Sequence, residues 1–329
     1  MRSVFLTGGT GYLGASLAAG LAAAGEDVVA LVRDPGQASH LPKGVRAVPG
    51  DVTDLESIRR GMHGCDRAIH AAAHVRAWGR DPGRFEAVNV GGLLHVLRAA
   101  EEAGLARVLY TSSFIALGPT DGHVADEDWS LPRRRFHNLY EKTKALADEV
   151  ARREAQRGAP LVLLYPGVLY GPGPLTSGNL VGKTITDFIA GKIPGILGEG
   201  DRRFCYAYVP DVVQGHLLAL RAAGNGERFI LGGENRTLRE VFQELERITG
   251  VAAPRRKIPY FLAKAAGRFQ RWRAALTGAE PEITDEVVEI YRHEWAYSSR
   301  RAEERLAYRI TPLRTGLEAT VRGLREGRS

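Results

Sequence analysis

"VFLTGGTGYLGASL", residues 4–17, is the stretch whose reading decides the fold. An apolar run ends at Thr7, glycines follow at 8, 9, 11 and 14, and a second apolar run begins. Glycine tolerates tight turns and lets another backbone or a ligand come close. A fixed glycine period between two apolar runs therefore reads as strand, turn and helix, the nucleotide-binding opening of a parallel sheet. Gly8 permits the turn, Gly11 lets backbone approach a pyrophosphate, and Gly14 lets the helix pack close to the sheet, with Tyr12 and Leu13 at the helix start. That helix start would offer free N–H groups and a positive dipole end to the phosphates. Counted from Gly8 the spacing is GxxGxxG, and from Gly9 it is GxGxxG. Spacing alone leaves open which glycine makes the turn.

Outward from this stretch the first half of the chain alternates. "DVVALV", "VRAVPGDV", "RAIHAAA", "RVLYTSS" and "PLVLLYPGVLYG" read as strands. Between them lie helical patterns at "GASLAAGLAAAG", closed by Gly25, at "DLESIRRGMHG", with Asp54 as N-cap, at "VNVGGLLHVLRAAEEAG" and at "YEKTKALADEVARREAQRG". Such alternation predicts an α/β fold, a Rossmann-like doubly wound parallel sheet with helices on both faces. After residue 166 the pattern loosens, and "PGVLYGPGPLTSGN" reads as loop. "RFCYAYVPDVVQGHLLALRAAG" reads as strand or loop and then a helix returning to the sheet. "ERFILGGENRTLREVFQELERITG" gives a strand and a helix capped by Thr237, and the end is mainly helical. The expected division is a dinucleotide-binding unit from 1–165 and 206–235, with a smaller, mostly helical substrate lobe from 166–205 and 236–329.

Composition fits this reading. The 329 residues are 44% hydrophobic and 25% charged, enough for a sizeable core. The formal charge of +7 comes from scattered basic residues, and nothing resembles a nucleic-acid-binding motif. Cys65 and Cys205 form no metal or disulfide pattern, so free thiols and a cytoplasmic setting are expected. No long uncharged apolar run predicts stable membrane insertion.

The end of the second strand chooses the cofactor. "ALVRDP" places Arg33 where a guanidinium suits the 2′-phosphate of NADP, which favours NADP over NAD. Asp34 lies about 20 residues past Gly14, the separation expected of a ribose-binding acid, and keeps NAD as the alternative.

"LYEKTKALAD" carries Tyr140 and Lys144 at i and i+4, on one face of a helix. An ammonium beside a phenol favours phenolate, and a phenol of lowered pKa can exchange a proton with a substrate hydroxyl. Ser112 and Ser113, at the end of a strand, bring hydroxyls that could hold the substrate oxygen. At this point the chain resembles the extended short-chain dehydrogenase/reductase family. The matching pieces are "TGGTGYLG", "GDVTD", "HAAA", "VNVGG", "TSSFIALG", "YEKTK" and "YPGVLYGPG", in the family's order, followed by "YVPDVV" and "GLEATVRGL". Leu117 departs from the pattern, where many members carry a tyrosine.

The resemblance implies Tyr140 as general acid/base, Lys144 as the residue that lowers its pKa and binds the nicotinamide ribose, and Ser113 as the catalytic hydroxyl. It puts Asp51 and Val52 at the adenine and Ala71, Ala72 and Ala73 along the middle of the cofactor. Asn89 matches a position that orders the site, and Pro166, Gly167 and Val168 run past the nicotinamide amide. It also implies a homodimer through helices near 90–104 and 140–157.

Two branches compete. "LVRDP", "DEDWS", "LLYPGVLYGPGPLTSGN" and "HEWAYS" resemble dihydroflavonol-reductase-like and farnesol-dehydrogenase-like proteins, which exchange hydride with an alcohol or carbonyl. The other branch, nucleotide-sugar epimerases and dehydratases, reduces its bound cofactor only transiently, and Arg202 and Arg203 are candidates to grip a sugar diphosphate there. His74 and Phe114 are candidates for the small-molecule substrate cleft, His70 reads as a packed strand residue, and no metal set is visible. "IPYFLAKAAGRFQRWRAALTG" reads as a helix packed on its own lobe, with an apolar lid and a membrane-surface segment as alternatives.

Overall fold

The computed structural model describes residues 3–76, 81–131, 134–176, 178–278, 281 and 283–327. Six strands build the first half: β1 (Ser3–Thr7), β2 (Asp27–Val32), β3 (Val45–Pro49), β4 (Arg67–His70), β5 (Arg107–Thr111) and β6 (Leu161–Pro166). Between them run α1 (Tyr12–Ala23), α2 (Leu55–Met62), α3 (Pro82–Glu86), α4 (Gly92–Glu102) and α5 (Leu139–Gln156). The later elements are β7 (Val168–Tyr170), α6 (Leu180–Ile189), β8 (Ile196–Leu197), β9 (Arg203–Tyr208), α7 (Val209–Ala222), β10 (Arg228–Leu231), β11 (Asn235–Thr237), α8 (Leu238–Thr249), β12 (Lys257–Ile258), α9 (Tyr260–Thr277), α10 (Asp285–Ile290), α11 (Arg300–Leu306) and α12 (Leu313–Glu326).

Seven parallel strands form the central sheet in the order β10-β6-β5-β4-β1-β2-β3. Strand order reverses between β1 and β4, which makes their carboxyl ends the switch point where ligands bind in such sheets. Period-2 alternation fills both faces. Val4 and Leu6 of β1 join Leu17 and Leu21 of α1 and Val212 and Leu220 of α7 in one core. Phe5, between them, turns to the other core with Ile58 of α2, Val96 of α4 and Ala147 of α5. The sequence-predicted caps hold: Asp54 accepts from Glu56 N, Thr237 forms a full capping box with Glu240, and Gly25 takes a φ of +77°. Each such N-cap stabilises its helix by about 1 kcal/mol.

Two local readings change. The apolar run 160–171 is two strands: β6 ends in the central sheet at Pro166, while β7, in the stretch also read as loop, joins β9 and β11 in a separate three-stranded sheet. Gly167 makes the break, since a Cβ there would stand 2.4 Å from the Cys205 carbonyl oxygen. The "VNVGG" helix begins as a π-helical turn, Ala87–Gly91, before α4. Among the described residues no helix is long and apolar enough to cross a membrane.

Under the sheet, His216 is fully buried on α7. Its Nδ1 lies 2.8 Å from the Val212 carbonyl and its Nε2 3.0 Å from the Thr111 hydroxyl. A carbonyl only accepts, so Nδ1 carries the proton and Nε2 accepts from Thr111. Burial pushes this imidazole down to about 4. Below the unfolded value of about 6.5 the unfolded chain takes up a proton that the folded one refuses, so stability is lost as pH falls from there toward 4. Denaturant unfolding across that range should show a slope shallower by about one proton for His216→Gln than for the wild type; an unchanged slope would refute the buried neutral imidazole.

Candidate functional site

The glycine turn resolves the ambiguity in its spacing. Gly8, with a φ of +79°, is the residue that turns the chain, and a Cβ there would lie 2.7 Å from Ala72 N. Gly11 N donates back to Gly8 O at 2.9 Å, closing the turn. Gly14 is bound to be glycine, because its Cβ would sit 1.9 Å from Gly8 O. Gly11 behaves differently. Its backbone is extended, it caps α1 without any side-chain hydrogen bond, and its Cβ would meet only Gly8 O, at 3.3 Å. A side chain at 11 would thus occupy the open cradle in front of the α1 N-terminus. Uncapped N–H groups and a glycine-lined concavity suit a pyrophosphate, so these residues fit a dinucleotide.

The other cofactor candidates line the same edge of the sheet. Ala71 and Ala72 follow β4 and are pinned by Thr7, whose carbonyl and hydroxyl accept from their N–H groups at 3.2 Å each. Ala73 follows them, half-buried. Asp51 accepts from Thr53 N at 2.9 Å in the turn after β3, and Val52 beside it is buried. Arg33 is exposed directly after β2, while the Asp34 carboxylate accepts from Gly36 N at 2.9 Å and caps its own turn. Tyr12 is buried, with its hydroxyl donating to Gly171 O at 2.8 Å, and Leu13 is half-buried behind it. Pro166, Gly167 and Val168 form the hinge between the two sheets.

Ser113 ends the run after β5 and N-caps the short turn Phe114–Ala116. Ser112 points away, buried toward Asp148. The Ser113 hydroxyl is half-exposed and accepts from Ile115 N at 3.3 Å. Tyr140 and Lys144 share a face of α5, yet Lys144 Nζ donates to Thr111 O at 3.0 Å and reaches Tyr110 OH at 3.4 Å. Here the sequence expectation of a depressed phenol needs correction. Burial pushes Tyr140 up to about 12, Ser113 only partly offsetting it. Burial also brings Lys144 down to about 7, against the pull of Asp148. Desolvation disfavours both charged forms, and helical spacing carries no sign of how deeply the pair is buried.

Beside Asn89, which the resemblance names, the positioning groups Arg134, Asn138 and Glu141 were not singled out from sequence. Asn89, in the π turn, accepts from His74 N at 2.7 Å and donates to Thr143 Oγ1 at 2.9 Å, tying the loop after β4 to α5. Arg134 donates to the carbonyls of Ile115 and Ala116 and pairs with the buried Glu141 at 3.1 Å. This locks the Ser113 turn onto the first turn of α5, where Asn138 supplies the N-cap. Asn138 and Glu141, three apart around Tyr140, were the available signal. His70 packs as expected, hydrogen-bonded to Thr7 at 2.8 Å and buried. His74 is half-buried, edge-on to Phe85 at 4.5 Å. Phe114 is buried edge-on against Trp295 and Tyr297, at 5.7 and 5.9 Å. Arg203 is closed on Glu294 through two hydrogen bonds of 3.0 and 3.1 Å.

One group among the described residues has ligand atoms close enough for an ion: His137, Glu289 and His293. Glu289 is already paired with Lys264 at 2.7 Å and with Arg292 at 2.9 Å, so an ion there would have to displace cations.

Residues 4–232 match the NAD dependent epimerase/dehydratase family. A Synechocystis sp. protein provisionally named dihydroflavonol 4-reductase is 32% identical, covering 96% of this chain and 93% of its own length. A Stigmatella aurantiaca protein named 4-hydroxy-2-methyl-3-oxo-4-farnesyl-3,4-dihydroquinoline-1-oxide ketoreductase is 31% identical, covering 96% and 94%. The UDP-glucose 4-epimerase of Thermotoga maritima superposes with a TM-score of 0.81 over 100% of both chains at 22% identity, a likeness of fold.

The two glycines separate folding from binding. Gly11→Ala should keep the wild-type melting temperature and weaken dinucleotide binding about tenfold or more, whereas Gly14→Ala should destabilise the protein by several kcal/mol. Calorimetry alongside nicotinamide fluorescence titration reads both; a Gly11→Ala protein with intact affinity would remove the dinucleotide from this cradle.

Proposed function

The chain belongs to the NAD-dependent epimerase/dehydratase family, and from that premise we propose that it exchanges a hydride between NADP and a secondary or allylic alcohol, or the corresponding carbonyl. The observation that carries this reading is that Ser113 follows β5 while Tyr140 and Lys144 share one face of α5, with Lys144 Nζ on the carbonyl of Thr111 at the end of β5, in the same sheet that carries the glycine turn after β1. When bound, the nicotinamide supplies the hydride donor or acceptor.

The side chains do the rest. Ser113 holds the substrate oxygen by a hydrogen bond, and Tyr140 gives that oxygen a proton or takes one away. Lys144, brought down to about 7 by burial, holds its Nζ on the Thr111 carbonyl on the same helix face as Tyr140. Arg134, Glu141 and Asn89 keep the participants in register.

The surroundings favour the alcohol/carbonyl branch over sugar nucleotides. Arg203, one of the two candidate diphosphate ligands, has its guanidinium fork spent on Glu294. Arg202 sits 3.8 Å from Asp201. Next to Ser113, Phe114 is packed edge-on into the core against the buried Trp295 and Tyr297. The two reductase-named relatives, alike over nearly the whole chain, support the same branch. Arg33, exposed at the end of β2 beside an Asp34 already used as a cap, supports NADP.

Tyr140→Phe should lower kcat about a thousandfold and leave cofactor affinity unchanged; near-normal turnover would refute the assigned acid/base. Arg33→Ala should weaken NADPH binding about tenfold and spare NADH. Equal losses for both cofactors would withdraw the NADP preference.

A further inference from the structure

Helix α9 is packed with its small side inward. Ala263, Gly267 and Ala274 are its buried residues, and a Cβ on Gly267 would stand 2.4 Å from Asp285 N, so α9 lies tight against the start of α10. Its large apolar residues face outward. Phe261, Leu262, Phe269, Trp272 and Leu276 are 70%, 52%, 60%, 61% and 67% exposed, half of the large exposed hydrophobics among the described residues. The steps 262, 269, 272 and 276 keep them on one helical stripe, and the rings of Phe269 and Trp272 lie 5.9 Å apart. A contiguous exposed apolar stripe of this kind marks an interaction surface, not ordinary packing.

Charge selects the occupant. The α9 sequence carries Lys264, Arg268, Arg271 and Arg273 and no acidic residue. The neighbouring acids belong to α10 and its continuation, and they answer the cations from the inner side: Glu289 meets Lys264, Glu286 meets Arg271 and Asp285 meets Arg268. Arg268 and Arg273 remain exposed beside the stripe. Apolar and aromatic residues on one face with flanking arginines match the boundary between lipid headgroups and acyl chains, where the arginines reach phosphates. A second copy of the same helix would bring like charges together across the stripe, in a chain already at +7.

We propose that α9 docks the protein on the surface of an anionic lipid bilayer, lying in the interface without crossing it. This inference is independent of the reading of the active site.

Vesicle sedimentation tests it, with phosphatidylcholine alone and with added phosphatidylglycerol. The wild type should bind the anionic vesicles and release from them at high salt. Phe269→Ser/Trp272→Ser and Arg273→Glu should each weaken that binding on the order of tenfold or more. Both proteins should keep the wild-type melting temperature and nicotinamide fluorescence, since the changed side chains are at the surface. Absent wild-type binding, or variants that bind like wild type, would overturn the proposal. So would a drop in light-scattering mass in the Ser variant without any vesicle binding, because a second copy would then be what covers the stripe.

Discussion

The contact on which the site depends is the one between Gly14 and the Gly8 carbonyl. With only a hydrogen at position 14, the first turn of α1 settles onto the turn that ends β1, closer than any side chain would permit. This places the uncapped end of α1 at the strand-order reversal between β1 and β4. The positive end of the helix dipole, the open face of Gly11 and the exposed Arg33 then all lie at the same edge of the sheet. An anion held here would be bound by backbone geometry, with no charged residue needed inside the turn itself.

The chemical end of the cleft rests on a different kind of constraint. Lys144 is buried and Tyr140 half-buried, and desolvation disfavours the charged form of each. Such groups are costly unless their neighbours are satisfied, and the neighbours here form a continuous polar scaffold. Thr111 carries the Lys144 contact on its carbonyl and the His216 contact on its hydroxyl. Asn89 and the Arg134–Glu141 pair hold α5 to two separate loops. Breaking the buried pair by removing one partner would cost about 3–5 kcal/mol and release the turn that carries Ser113.

What could be read from residues alone was what depends on local pattern. Strand–glycine–helix order, the caps at Asp54 and Thr237 and the shared face of Tyr140 and Lys144 are written in spacings of one to four residues. The parallel sheet follows from repeating that order. What stayed hidden depends on contacts between distant segments. The break at Gly167 comes from the approach of the Cys205 carbonyl, 38 positions on by residue number. The upward shift of Tyr140 comes from depth, and the Arg203–Glu294 pair joins residues 91 apart. Helix α9 is an intermediate case: its composition was legible, but the choice of small residues as its inner side emerges only from its packing on α10.

The central claim is that this site performs net hydride exchange with an alcohol or carbonyl. The most direct test follows nicotinamide absorbance while purified protein and NADPH meet a panel of apolar ketones and aldehydes, with UDP- and GDP-sugars assayed in parallel by chromatography. Stoichiometric oxidation of NADPH by a carbonyl, with the sugar nucleotides untouched, is the predicted result. Conversion of a sugar nucleotide with no net change in absorbance would contradict it, because the cofactor would then be recycled within a single turnover.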